Sequence, residues 1–307
     1  MAGNKNDTFE PAYLELKSKN KLKKLADRAQ KLLASCRLCP RECGVNRLEG
    51  ETGFCSIGEE AIVSSAFPHR GEEQPISGRH GSGTIFFAGC NLKCVFCQNF
   101  SVSHRSEGEK LSTSSLARKM LVLQERNCHN INFVSPTHLL PQVLMALVEA
   151  AEEGLKLPLV YNSGGYEKTE TLKQFGEIFD IFMPDFKFWD SRLAEKYMDA
   201  PNYPERAREA LRWMDNQVGQ LETDKNNLAR RGLLIRHLVM PGQVADSKKI
   251  LEWIEEELSA ETYVNIMPQY RPAGRAENYP QLQHSLRREE YRQVRTHALD
   301  IGLSRLD

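Results

Sequence analysis

The chain has 307 residues, 40% of them hydrophobic, with 41 Lys plus Arg balanced by 41 Asp plus Glu. That balance leaves no electrostatic footprint for nucleic acid or an anionic membrane surface, and no run approaches the ~18 to 20 apolar residues of a membrane span. The first thirty residues scatter Lys5, Lys17, Lys19, Lys21, Lys23 and Lys24 among Asp7, Glu10 and Glu15 without the apolar stretch of a signal peptide, so a cytoplasmic location is expected.

Residues 19–34 place Leu22, Leu25, Ala29, Leu32 and Leu33 near one face of a helix. The helix leads into Cys36, Cys39, Cys43 and Cys55, spaced C-x2-C-x3-C-x11-C, with Pro40, Gly44, Gly50 and Gly53 available for tight turns. Eight cysteines in a reducing compartment point to metal rather than disulfides. These four would complete a tetrahedral zinc site or hold a fully ligated 4Fe-4S cluster, and the spacing leaves both open. The segment 67–83 is rich in Gly, Pro and charge and reads as a loop; its glycines make it the expected moving cover of a pocket. On it, His69, Glu72 and Glu73 are read as solvated, or as shaping an entrance or proton path.

From residue 84 onward short apolar runs alternate with amphipathic helices. The runs predict strands at 84–88, 130–134, 159–161, 178–183, 233–239 and 263–267. Helices are expected at 116–126, with Leu116, Met120 and Leu123 on one face, and at 204–218, with Ala207, Leu211, Met214 and Val218 together. Asp246 is read as the N-cap of a helix carrying Ile250, Leu251, Ile254 and Leu258, while 287–295 mixes charges as a solvated helix face does. Six strand–helix alternations imply parallel strands with right-handed crossovers. Six is too few for a closed eight-stranded barrel, so an open sheet or a partial barrel both remain.

Strand ends collect functional groups because the following loops converge on one mouth. Here they carry Ser135, Thr137 and His138; Asn162, Ser163, Gly164 and Gly165; Asp185 and Lys187; Arg236 and His237; and Gln269, Tyr270 and Arg271. Asp185 and Lys187 share a face by alternation, and at least one of Arg236 and His237 is expected to face the interior. His138 is read either as a pocket residue or as the cap of a helix over 139–150.

The first strand delivers Cys90, Cys94 and Cys97, spaced C-x3-C-x2-C, with no fourth cysteine nearby. Three such thiolates each bind one iron of a 4Fe-4S cube and leave one iron open. That iron can chelate the amino acid end of S-adenosylmethionine and pass an electron to its sulfonium, giving methionine and a 5'-deoxyadenosyl radical. The competing reading is a structural zinc or ordinary cluster completed by Cys128 or a histidine; otherwise Cys128 reads as a small buried apolar residue.

Residues 89–99, Gly-Cys-Asn-Leu-Lys-Cys-Val-Phe-Cys-Gln-Asn, resemble the cluster loop of the radical SAM superfamily. Stretches 36–47, 81–84, 183–187, 236–242 and 265–271 resemble its pyruvate formate-lyase activating enzyme-like branch, here with an N-terminal four-cysteine module. The resemblance implies a partial (β/α)6 barrel with an N-terminal helix and cysteine-rich metal knuckle. The implied divisions are 1–83 for helix, module and loop, 84–272 for the barrel, and 273–307 for a C-terminal loop and helix. It implies an oxidoreductase-type enzyme using a 4Fe-4S cluster and S-adenosylmethionine, with Cys90, Cys94 and Cys97 as iron ligands and Phe96 beside the adenine. Ser135, Thr137, Asn162, Ser163 and Gly164 are the expected cofactor contacts, and Asp185, Lys187, Arg236 and His237 the expected catalytic-pocket residues. The partners implied are a reductant such as flavodoxin or ferredoxin and a protein or peptide substrate, as in glycyl radical activation. A small metabolite as substrate, and a non-catalytic Fe-S or zinc interaction protein, are the alternatives.

Overall fold

The computed structural model describes residues 9–307, which leaves Lys5 and Asp7 outside the described residues. Nine strands run β1 Ala61–His69, β2 Ser82–Phe87, β3 Glu109–Leu111, β4 Ile131–Val134, β5 Leu159–Ser163, β6 Ile181–Pro184, β7 Glu222–Thr223, β8 Ala229–Leu238 and β9 Tyr263–Met267. The helices are α1 Ala12–Ser18, α2 Leu22–Lys31, α3 Gln74–Ser77, α4 Phe100–Arg105, α5 Thr113–Glu125, α6 Leu140–Glu152, α7 Thr169–Phe175, α8 Ser191–Met198, α9 Tyr203–Val218, α10 Val244–Glu257 and α11 Arg288–Asp300.

The six strands expected from the apolar runs pair in parallel in the order β2, β4, β5, β6, β8, β9. This is the partial barrel that the resemblance implies, an open sheet with helices on its outer face and a cysteine-rich region before it. Parallel strands are buried on both faces, which is why they read as nearly continuous apolar runs. Phe133, Tyr161, Phe179 and Phe182 pack edge to face beneath the helical layer, with Tyr161 and Phe179 centroids 4.8 Å apart. Each such ring is wholly buried and is worth about 1.5–3 kcal/mol of apolar transfer. The N-terminal helices join this layer: α2 packs on α6, and the amide of Ala12 donates to Asp180 Oδ1 at 2.9 Å.

Two local expectations are corrected. Asp246 is not the N-cap of α10, whose cap residue is Gln243; it lies in the first turn and accepts from the amides of Trp189 and Asp190 at 2.8 Å each. The 67–83 segment is neither wholly loop nor placed at the mouth. β1 runs antiparallel to β2, so its last residue, His69, pairs with Ser82 at the start of β2. The connecting turn therefore lies at the opposite end of the parallel strands, where α3 is anchored by Asn130 Nδ2 donating to Ile76 O at 2.8 Å and Ile76 is fully buried. It floors the barrel instead of covering it.

Candidate functional site

The loop after β2 is shaped by backbone that only particular residues tolerate. Gly89 has φ 75°, and a Cβ there would lie 2.4 Å from Cys55 O. Lys93 also sits at positive φ, 52°. The loop is then tied to its surroundings: Asn91 Nδ2 donates to Tyr166 O at 2.7 Å, Arg41 Nε donates to Asn91 O at 2.9 Å, and Lys93 Nζ donates to Ser56 Oγ at 2.8 Å. Thus held, Cys90, Cys94 and Cys97 line a cavity of about 250 Å³ whose far wall includes Ser135, Asn162, Ser163, Gly164, Asp185, Lys187 and Arg236.

Two of the sulfurs already accept hydrogen bonds, Cys90 Sγ from the Leu92 amide at 3.3 Å and Cys97 Sγ from Ser103 Oγ at 3.2 Å. Burial raises the thiol pKa of Cys90 and Cys94, so their deprotonation here calls for a cationic partner. Three thiols converging on one cavity, mainly apolar but with Ser135, Asn162, Asp185, Lys187 and Arg236 on its far wall, fit a 4Fe-4S cluster with one open iron. Among the described residues no group of three or more His, Cys, Asp or Glu side chains stands at the spacing of a single-ion site. A cube puts each thiolate on a different iron, so its ligands stand farther apart than those of one ion. Phe96, 5% exposed, also lines the cavity and meets Phe188 edge-on at 5.9 Å.

Across the cavity a chain of charge runs from floor to mouth. Arg236 Nε donates to Asp185 Oδ1 at 2.9 Å, its Nη2 donates to Asn162 Oδ1 at 2.6 Å, and its Nη1 lies 3.4 Å from Glu72 Oε2. Lys187 pairs with the other Asp185 oxygen. Burial alone raises a carboxyl pKa, but Arg236 and Lys187 outweigh it at Asp185 and hold it below the ordinary carboxylate value. At Glu72 burial wins over Arg236 and the pKa is raised. The strand ends are aligned by Tyr203, whose hydroxyl lies 3.0 Å from both Gly164 O and Asp185 O and accepts from the Lys187 amide at 2.9 Å.

Two residues expected in the pocket lie elsewhere. Thr137 is 2% exposed, and its hydroxyl donates to the buried Glu167 beside Tyr161. His237 points outward from the barrel, bonded to Phe186 O at 2.7 Å and Ser247 Oγ at 2.8 Å, because adjacent strand residues face opposite ways. His138 makes no helix-capping bond; its Nε2 bonds Ala88 O at 3.0 Å. Leu92, Met267 and Gln269, which lie in stretches the sequence marks, also line the cavity, as does Ser103, which no motif marks. Cys128 is buried and lies in neither cysteine group, packing near Gly83.

A second, small cavity of about 10 Å³ is lined by Cys36, Cys39, Cys43 and Cys55 together with Arg47 and His138, with Cys43 exposed at its edge. Burial pushes the Cys39 thiol up to about 12 and raises that of Cys55, where Arg47 opposes it.

A sequence profile described as the Radical SAM superfamily matches residues 84–254, more than half of the chain. The chain belongs to the radical SAM superfamily. The match begins in the strand that precedes the three-cysteine loop and runs through β8 into α10. Beyond this radical SAM barrel, an uncharacterised protein of Methanocaldococcus jannaschii is 32% identical over 294 residues, covering 92% of this chain and 80% of its own. A second uncharacterised protein of that organism is 26% identical over 155 residues, covering 45% of each chain. Among solved structures, methylornithine synthase aligns at TM-score 0.47 and 14% identity, covering 93% of this chain and 71% of that chain. The structure of anSMEcpe with bound AdoMet aligns at TM-score 0.45 and 13% identity, covering 69% of this chain and 57% of that chain. Among the described residues no helix is long and apolar enough to cross a membrane.

Proposed function

We propose that this radical SAM enzyme abstracts hydrogen from a protein or peptide, in the manner of the glycyl radical activases. The observation that carries the reading is the single cavity into which three loop thiols and the Asn162, Asp185, Lys187 and Arg236 cluster converge. Cys90, Cys94 and Cys97 would hold a 4Fe-4S cluster, whose chemistry when bound would be one-electron reductive cleavage of S-adenosylmethionine. The chain's own groups orient and shield. Asp185, ionised at neutral pH, is suited to accept from an ammonium or ribose hydroxyl, Ser135 and Ser163 offer short polar arms, and Phe96 and Leu238 supply apolar wall for a base.

At about 250 Å³ the cavity is below the ~300–1,000 Å³ typical of one small-molecule site. A volume that small leaves no room for a metabolite beside a cluster and its cofactor, which supports a target that inserts a residue from outside and itself excludes water. The floor position of 67–83 supports this further, since that segment is not available as a lid.

The test is anaerobic reconstitution with a reductant and S-adenosylmethionine. 5'-Deoxyadenosine should form slowly alone and faster with protein fractions from the same cell, leaving a carbon-centred radical or changed peptide mass on one polypeptide. Acceleration by a protein-free, low-mass extract, with no modified polypeptide, would reject the macromolecular target in favour of a metabolite.

A further inference from the structure

The hydroxyl of Ser103 lies between two acceptors, 3.2 Å from Cys97 Sγ and 2.9 Å from His104 Nδ1. Ser103 is 8% exposed and sits in α4, the short helix that follows the third loop cysteine. That helix is tied to both ends of the loop, since the Gly89 amide donates to Val102 O at 2.9 Å and the Ser103 amide to Asn99 O at 2.9 Å. His104 is held on two sides as well. Its Nε2 lies 3.0 Å from Lys93 O, and its ring stacks on Phe100 with centroids 4.1 Å and planes 18° apart.

These contacts fix where the hydrogens sit. A carbonyl oxygen only accepts, so His104 Nε2 carries a hydrogen. Above the ordinary imidazole range the ring is neutral, which leaves Nδ1 a bare acceptor. A serine hydroxyl has one hydrogen to give. Cys97 Sγ and His104 Nδ1 therefore compete for it, and the share that reaches the sulfur stabilises negative charge there.

We propose, on the reading of Cys97 as an iron ligand, that Ser103 is a positioning residue that donates to Cys97 Sγ and raises the reduction potential of the bound cluster, while His104 limits the effect by drawing on the same proton. A reduced cluster carries one more negative charge than an oxidised one, so a donor at the sulfur stabilises the reduced form more. The pair thereby sets how strong a one-electron donor must be to reduce the site.

The test is an anaerobic redox titration of the reconstituted full chain without S-adenosylmethionine, followed by electron paramagnetic resonance at alkaline pH, with iron content checked for each variant. Ser103→Ala should lower the midpoint potential by about five- to tenfold in the reduction equilibrium, or about 40–60 mV for one electron, and Ser103→Thr, which keeps the hydroxyl, should stay near wild type. His104→Phe keeps the ring stack and removes the competing acceptor, so it should favour reduction by about twofold. The double variant should match Ser103→Ala alone, because without the hydroxyl there is no proton to share. A potential unmoved by Ser103→Ala at full iron content, or a His104→Phe shift that persists in the double variant, would overturn the proposal. Should Ser103→Ala fail to hold a cluster, the sign of the His104→Phe shift decides, a fall or no change counting against it. A wild-type chain that assembles no iron–sulfur cluster would overturn the ligand reading itself, and the role of Ser103 with it.

Discussion

Two cysteine groups in one chain have opposite settings. The loop thiols Cys90, Cys94 and Cys97 open onto a cavity of about 250 Å³ with ionised groups on its far wall, while Cys36, Cys39, Cys43 and Cys55 close on about 10 Å³ with a buried arginine alongside. An open iron needs room and polar partners for a second molecule. The surroundings, more than the residue type, distinguish the two cysteine groups.

The comparison breaks most completely at the reactive set. Replacing Cys90, Cys94 and Cys97 with Ala should abolish dithionite-dependent 5'-deoxyadenosine, measured chromatographically, while circular dichroism stays near wild type because the barrel core lies elsewhere. Next comes the charge that faces the cavity. Asp185→Ala leaves Lys187 without its carboxylate and Arg236 with Glu72 alone; a loss of about 3 kcal/mol in urea unfolding is expected, near the low end for a broken buried pair, since Arg236 and Asp185 keep 16% and 14% side-chain exposure.

Between the two cysteine groups stands Arg41, which donates to Asn91 O and Met198 O and lies with its guanidinium 3.8 Å from the Phe54 ring centroid. Arg41→Ala should cost about 2 kcal/mol and speed amide hydrogen exchange over residues 89–93, the direct sign that the knuckle braces the cluster loop. The smallest effect belongs to Glu42→Gln, which removes the pair with Lys168 at the surface. That change should shift unfolding by under about 1 kcal/mol, and less at high salt.

The parallel strands were legible because burial on both faces demands unbroken apolar runs. β1 was not: its Phe67, Pro68 and His69 read as loop, and antiparallel pairing with β2 and β3 makes it a strand. Cysteine spacing announced which thiols would share a cavity, three in one and four in the other. Side-chain direction was less legible. Alternation told that Arg236 and His237 face opposite ways but not which faces in, and the Ser135–Thr137 turn, with Ser135 at φ 59°, has no periodicity to read. Arg47 left no signal at all, because a lone arginine in a polar stretch looks solvated until the fold encloses it.

Arg236 joins Glu72 on the floor segment to Asp185 at the strand ends, and Ile76 seals the turn beneath. A barrel corked at its base leaves its strand-end mouth as an entrance. If a macromolecular target docks over the strand-end mouth, as proposed, spent methionine and deoxyadenosine that leave by that mouth would be held in until the target departs. Turnover would then be strictly ordered, target off before products, and reversible regeneration of the cofactor inside the closed complex becomes open to it.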